Sequence, residues 1–435
     1  MKIVKGGNVT KLLEGIAIPK MFYARQNFKR DHIEKDDIAG EIIKELKRTE
    51  ISSTIQPGMS IAITAGSRGI RNVALITKTI VDFVIEMGAH PYIVPAMGSH
   101  GGATAEGQMK MLETFGITEK SMGCPIRSSM DTVLLGTSKF GKPVYQDRNA
   151  YEADGIIVSC RIKPHNAFRG EVESGICKML VVGLGKQKGA ESVHSDGMGN
   201  MAKNLIANTQ VVLENSKILF AIPCIENAYD ETACFEAVLP ISVMTREPEL
   251  LQIAFQNMPS ILVPEADVLI VNEMGKNFSG TGVDPNISGT WSTDYASGGL
   301  KVQRTCFLDL TDVSHGNANG MGLANIITKR MFDKLDPEMI YPNCFTSTVL
   351  KSAMMPVVVA TDKEAIQACI RTLNGVDKAR LRIVRIKNTL HLDMIMLSEA
   401  YYQDILDGKY PGLEAISEPQ FLAFDSEENL LTQIE

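Results

Sequence analysis

The predicted fold is decided by residues 60–96, SIAITAGSRGIRNVALITKTIVDFVIEMGAHPYIVPA. Residues 60–65 are a short apolar run that stops at a glycine-rich turn, and apolar residues then recur at helical spacing over residues 72–87. Gly88 ends this helix, and residues 91–96 predict the next strand. A strand–helix–strand unit of this size favours two parallel strands joined by a right-handed crossover.

The same alternation continues along the chain. Further strands are predicted at residues 155–160, 218–223, 266–271, 356–360 and 382–386, and further helices at 105–115, 198–215, 247–257, 322–335 and 363–374. The pattern predicts an α/β protein of two domains, with largely parallel sheets flanked by helices and an active-site cleft between the domains. A long glycine-rich polar stretch follows residue 271, so we expect an N-terminal domain over 1–271 and a C-terminal α/β domain over 272–435 that closes the cleft.

Composition excludes several classes of protein. The 435 residues include 44 basic and 51 acidic side chains, a formal net charge of −7, whereas a nucleic-acid binder normally carries a basic face. We find no apolar run of the ~18 residues that a membrane span needs and no export signal. The eight cysteines include no CxxC pair. We therefore expect a cytoplasmic protein that binds neither nucleic acid nor membrane.

Four of the seven histidines lie in loops rich in glycine and polar residues: His100, His165, His194 and His315. His100 and His165 follow predicted strands directly. Ligands of open α/β sheets bind at the carboxyl ends of the strands, and catalytic groups concentrate in loops that a rigid sheet holds. We therefore expect these histidines to meet in one cleft.

The common cofactor motifs are absent from the sequence. It contains no HExxH zinc motif, no Walker A loop, and no GxGxxG that opens a helix with an acidic partner about 20 residues on. Two interpretations stay open from the residues alone: a non-catalytic protein that binds a nucleotide or metabolite in the cleft, and an enzyme with zinc or iron bound by His100, His165 and His194.

Several segments together resemble the nickel-dependent lactate racemase family. They are residues 66–69 (GSRG), 95–104 (PAMGSHGGAT), 163–165 (KPH), Lys178-Met179, His194 and 274–277 (MGKN), so the resemblance extends over most of the chain. It implies an isomerase, a racemase or epimerase that inverts C2 of a 2-hydroxy acid. It also implies a covalently attached nickel-pincer nucleotide, in which two sulfur-containing arms grip nickel, and which a purified preparation can lack.

The resemblance also implies a role for individual residues. Lys178 matches the lysine that tethers the cofactor, and His194 matches the protein ligand of nickel. His100 and His165 match a pair of acid/base histidines. The substrate-binding positions that match are Arg68, for the carboxylate, and Lys276. We add His315 and Asn317 as second-tier candidates that hold the distal end of the substrate, and Glu273 as a further second-tier candidate.

These residue types suit such a reaction. The C2 hydrogen of a 2-hydroxy acid is only weakly acidic, so hydride transfer to the cofactor avoids a carbanion. One histidine takes the hydroxyl proton and the other supplies a proton when hydride returns to the opposite face. Histidine exchanges protons near neutrality, its neutral ring is a good nickel ligand, and an arginine clamps a carboxylate with two hydrogen bonds.

The sequence departs from the family pattern on the substrate side. Ala65 stands where an aspartate is expected, and Glu273 stands where a glutamine is expected. The loop between His165 and Lys178 looks longer and adds Arg169, Glu171 and Glu173. We therefore expect a substrate more polar than lactate, such as malate or an aldonate. The expected partners are this small acid and the enzymes that synthesise the cofactor, and self-association as a homo-oligomer is left open.

Overall fold

The computed structural model describes residues 3–67 and 70–434. The chain forms two compact units. The central unit is Arg30–Met258, and the discontinuous unit combines Met1–Lys29 with Pro259–Glu435. The chain therefore leaves one unit after its first 29 residues, builds the other, and then returns.

In chain order the strands are β1 (Met21–Gln26), β2 (Ser60–Ala65), β3 (His90–Pro95), β4 (Thr132–Thr137), β5 (Pro143–Asp147), β6 (Gly155–Arg161), β7 (Ile218–Glu226), β8 (Thr232–Phe235), β9 (Glu265–Val271), β10 (Lys301–Phe307), β11 (Ile326–Thr328), β12 (Val357–Val359), β13 (Ile383–Ile386), β14 (Met394–Ser398) and β15 (Leu413–Ala415). The helices are α1 (Asn8–Leu13), α2 (Ile38–Leu46), α3 (Thr49–Ser52), α4 (Val73–Glu86), α5 (Ala105–Thr114), α6 (Glu119–Met122), α7 (Arg148–Glu152), α8 (Ile176–Lys178), α9 (Lys186–His194), α10 (Met201–Asn215), α11 (Val243–Asn257), α12 (Pro285–Ser288), α13 (Lys329–Asp333), α14 (Pro337–Ser347), α15 (Asp362–Arg371) and α16 (Tyr402–Leu406).

The central unit is built on a sheet in the order β3-β2-β6-β7-β8, in which β8 is antiparallel and the other pairs are parallel. Its core forms because α4 turns one apolar stripe, including Ile76, Ile80 and Phe83, toward Ile61 and Ile63 of β2. Parallel order brings the ends of β2, β3 and β6 to one edge of the sheet, where their loops can share a site.

The discontinuous unit contains a larger sheet in the order β12-β11-β10-β9-β13-β14-β1-β15. The first five strands of this order, from β12 to β13, are parallel to one another. The pairs β13–β14, β14–β1 and β1–β15 are antiparallel. Both faces of this sheet are covered. Val268 and Ile270 of β9 enter one apolar cluster, and Leu269 and Val271 enter another.

The α/β class with largely parallel, helix-flanked sheets is confirmed. The helix predicted over 322–335 is wrong, because this stretch contains strand β11 followed by the short helix α13. The boundaries of the two compact units also differ from the predicted domain boundary at residue 271. Strand β9 already pairs with β10 and β13, and the first 29 residues belong to the same unit as β9 because β1 pairs with β14 and β15. None of the described helices combines the length and the apolar character that a membrane crossing requires.

Candidate active site

Four predicted site residues lie in the central unit, in segments that follow its parallel strands. His100 is in the loop after β3, and His165 is in the loop after β6. Lys178 is the last residue of α8, and His194 is the last residue of α9. Arg68 lies outside the described residues.

The loop after β6 is built around a buried carboxylate that holds His165. Glu173 is only 1% exposed, and its Oε2 accepts the backbone N–H of His165 at 2.6 Å, while its Oε1 accepts that of Gly170 at 3.3 Å. The Arg169 guanidinium donates to the His165 carbonyl at 2.9 Å and to Glu173 Oε2 at 3.3 Å. The ring of His165 lies against Phe168, with centroids 4.3 Å apart. Arg169 and Glu173 therefore fix the backbone of His165, and Phe168 packs against its ring.

His165, Lys178 and His194 are electrostatic neighbours. Burial lowers the pKa of His165 well below its ordinary value, and the charges of Lys178 and His194 are the next largest causes. Burial also lowers the pKa of His194, a hydrogen bond to Ala190 opposes this, and the charge of Lys178 adds to the lowering. The charges of Lys178 and His194 therefore act on His165, and the pKa of both imidazoles is shifted downward.

Hydrogen bonds assign the tautomers of these rings. Nδ1 of His194 faces the Ala190 carbonyl at 2.6 Å, and a carbonyl only accepts, so this nitrogen carries the proton and Nε2 has the lone pair. In His165 the assignment is reversed, because Nδ1 accepts the backbone N–H of Ala167 at 3.1 Å and the neutral ring therefore carries its proton on Nε2. Lys178 is half-buried and donates to Ser174 Oγ at 3.4 Å.

His100 is exposed, and its loop packs on the segment that follows Lys178. Nδ1 of His100 donates to the Met97 carbonyl at 2.8 Å, which leaves the lone pair on Nε2. Gly98 N donates to the Gly183 carbonyl at 3.1 Å. Gly183 permits this approach, since a Cβ there would lie 2.8 Å from the carbonyl oxygen of Ala96.

The other predicted site residues belong to the discontinuous unit. Lys276 Nζ donates to the Gly280 carbonyl at 2.6 Å and to Asn343 Oδ1 at 2.9 Å, and Asn317 Nδ2 donates to the same oxygen at 3.3 Å. Lys276 and Asn317 therefore share Asn343, a residue on α14 that sequence reasoning missed. His315 is exposed and has a left-handed backbone (φ 47°).

Glu273, the last of these candidates, lies just beyond β9. Burial raises the pKa of its carboxyl, and the charge of Asp309 adds to this.

A buried glutamate behind Lys178 also escaped prediction. Glu247 on α11 is fully buried, and its Oε2 accepts the backbone N–H of Cys177 at 2.8 Å. Burial raises the pKa of Glu247 to about 7. A charged residue within a helix normally indicates a solvated face, so the sequence carries no signal for this contact.

Comparison with known proteins adds to this geometry. Residues 19–204 match a family model described as the lactate racemase N-terminal domain. This segment is therefore similar to a lactate racemase N-terminal domain. It includes His100, His165, Lys178 and His194, together with Arg68.

Among solved structures, the lactate racemase apoprotein from Thermoanaerobacterium thermosaccharolyticum is similar at 12% sequence identity, with a TM-score of 0.47, over 78% of this chain and 87% of that one. No curated protein matches the chain in a sequence comparison.

Proposed function

We propose that this protein is a racemase or epimerase that inverts C2 of a 2-hydroxy acid with a nickel-pincer nucleotide. The observation that carries the proposal is that His165, Lys178 and His194 interact electrostatically within the segment that matches the lactate racemase N-terminal domain. An amine, a neutral imidazole with its lone pair on Nε2, and a second buried imidazole are the groups that such a cofactor and its substrate require.

The metal-binding side chains present fit a nickel ion whose other ligands come from its own cofactor. Over residues 3–67 and 70–434, no set of three or more His, Cys, Asp and Glu side chains is arranged to hold a metal ion. The proposal needs one protein ligand, His194. Its Nδ1–H bond to the Ala190 carbonyl is the usual arrangement of a metal-binding histidine, because it fixes the tautomer and the ring. Lys178 is the residue that would be tethered to the cofactor.

The tautomers support different starting roles for the two histidines. When bound, the cofactor supplies a centre that takes the C2 hydrogen as hydride and returns it. His100 would receive the hydroxyl proton at Nε2, where its lone pair is. His165 would donate a hydrogen bond from Nε2–H to the same substrate oxygen and so favour the keto form. Arg68 is proposed to bind the substrate carboxylate, and Lys276 is proposed to lie near the substrate and the cofactor.

The structure bears on which acid is the substrate. Glu173 is buried and already accepts two backbone N–H groups, so its charge is engaged in holding the loop. The proposal of a substrate longer or more polar than lactate, such as malate or an aldonate, therefore rests on Ala65, Glu273 and the second-tier residues His315 and Asn317. We further propose that the protein acts in the cytoplasm, where cofactor-synthesis enzymes supply the nucleotide.

The test uses the full chain co-expressed with the cofactor-synthesis enzymes. We expect stoichiometric nickel, a mass increase on Lys178, and inversion of at least one 2-hydroxy acid by chiral separation. His100→Ala and His165→Ala are expected to abolish inversion while nickel stays bound, whereas His194→Ala is expected to lose nickel. Absence of both nickel and adduct would indicate a non-catalytic binding protein, and bound zinc or iron would indicate a different metalloenzyme.

A further inference from the structure

A buried glutamine on α5 makes hydrogen bonds that hold the backbone of the His100 loop. Gln108 is fully buried, and its Nε2 donates to the carbonyl oxygens of Gly98 at 3.0 Å and His100 at 3.3 Å. Both N–H groups of the amide therefore fix the backbone at His100 itself and two residues before it.

Gln108 is in turn held by a buried lysine. Nζ of Lys186 donates to Gln108 Oε1 at 3.1 Å and to the Pro95 carbonyl at 2.5 Å, and it lies 3.1 Å from Asp147 Oδ2. Lys186 and Asp147 are both fully buried. A cation that donates to an amide oxygen polarises the amide, which strengthens the hydrogen bonds that the amide nitrogen donates.

Lys186 and Gln108 form a brace for the His100 loop, and Lys186 connects this brace to His194 through a helix. It is the first residue of α9, and His194 is the last. Lys186 has a left-handed backbone (φ 56°), an unfavourable conformation for a residue with a side chain, so the packing around it must hold it there. The same short helix therefore reaches the His100 loop through Gln108 at one end and carries His194 at the other.

The His100 loop needs such a brace because its glycine-rich sequence allows the backbone many conformations. Gly98, Gly101 and Gly102 all have positive φ, and glycines restrict a backbone least. The bond from His100 Nδ1 to the Met97 carbonyl, which places the lone pair on Nε2, persists only while the loop keeps this shape. A displacement of about 1 Å at a reacting group can reduce a rate about 10²-fold.

We propose that Gln108, anchored by Lys186, is a positioning residue that holds the His100 loop and thereby the Nδ1–H tautomer of His100. This inference rests on the proposed function for the catalytic role of His100, but the position of the loop can be measured without it.

The first experiment uses cofactor-free protein. The protonation of each imidazole nitrogen is read by ¹⁵N NMR of histidine-labelled protein, with His100→Gln to assign the signal. We expect Nδ1–H in the native protein and a mixture of tautomers in Gln108→Met and Gln108→Glu. Gln108→Glu keeps the length and the acceptor for Lys186 but removes both amide donors, so it reports on the loop even if Gln108→Met folds poorly.

Gln26→Met is the matched control. Gln26 is also fully buried, its Nε2 donates to the carbonyls of Ser260 at 3.0 Å and Leu392 at 2.7 Å, and its Oε1 accepts the Leu262 N–H at 2.7 Å. It lies in the discontinuous unit. We expect Gln26→Met to leave the His100 signal unchanged. An unchanged tautomer in both Gln108 variants, or an equal change in Gln26→Met, would overturn the proposal.

Activity of the nickel-loaded protein gives a second readout. We expect Gln108→Glu to lower kcat about 10²-fold, with nickel content and KM unchanged within about threefold. A tautomer change without inversion of any acid would contradict the proposed function and leave the brace supported. Inversion with a native tautomer in Gln108→Glu would contradict the brace and leave the proposed function supported.

Discussion

Replacing Glu247 with glutamine is expected to make the protein more stable at high pH and to have little effect in acid. Glu247 is fully buried, and burial raises the pKa of its carboxyl from 4.5 to about 7 in the folded protein. Between these values the folded state binds the proton that the unfolded state has released, so stability falls as the pH rises. The interval corresponds to about 3 kcal/mol, because each pH unit is worth about 1.4 kcal/mol.

The Glu247→Gln side chain would keep the shape and the acceptor for the Cys177 N–H without having a charge to bury. We therefore expect the free energy of unfolding of Glu247→Gln, relative to the native protein, to rise by about 2.5 kcal/mol between pH 5 and pH 8.5. The assay is urea unfolding followed by circular dichroism at a series of pH values, with separate fits if the two units unfold in turn.

Glu249→Gln is the control for this comparison, because Glu249 lies on the same helix with its side chain 63% exposed. It removes a carboxylate without removing a buried charge. A difference between Glu247→Gln and the native protein that is the same at pH 5 and pH 8.5 would refute the reasoning, since it would mean that Glu247 ionises in the folded protein as readily as in the unfolded one.

Three further predictions concern the loops and the brace. Glu173→Ala removes the acceptor of two backbone N–H groups, so we expect a loss of about 1–3 kcal/mol in stability and faster proteolysis within residues 162–175, with partial recovery in Glu173→Gln. Lys186→Met leaves Asp147 buried without its cation and is expected to cost about 3–5 kcal/mol by urea unfolding, while the double variant with Asp147→Asn should recover part of this; an equal or larger loss in the double variant would contradict it. Gly102→Ala should cost about 1–2 kcal/mol for its φ of 65° alone, whereas Gly101→Ala should cost more because its Cβ would lie 2.6 Å from the Gly107 carbonyl carbon; equal melting temperatures would contradict the difference.

Local patterns explain which parts of the fold were predictable. The segment β2–α4–β3 has a clear helical period between two apolar runs, and the turn at Gly88 has φ of 78°. Strand β11 lacks the alternation that identifies a strand, because Ile326 and Ile327 face opposite clusters and the strand is apolar on both sides. Strand β1 has no local partner, since it pairs with β14 and β15 more than 350 residues later along the chain.

The candidate site likewise combines local features with contacts between distant segments. Histidines in glycine-rich loops after strands could be recognised, because the loop composition and the strand ends are both local features. Gln108, Glu173 and Glu247 act through backbone groups of other segments, and a polar side chain that is buried for this purpose looks in the sequence like one that is solvated. The roles of these three side chains can be recognised only from the structure, which shows the backbone groups that they bond.

The route of the chain through its two units affects how the protein is made. Ribosomes add about 5–20 residues per second, so β1 leaves the ribosome about 20–70 s before β14, the strand that pairs with it. The central unit has all its strands in one continuous stretch and can fold during this delay. Until β14 and β15 arrive, the hydrogen-bonding groups of β1 remain open to pairing with another nascent chain, so this strand has to be kept from pairing wrongly during translation.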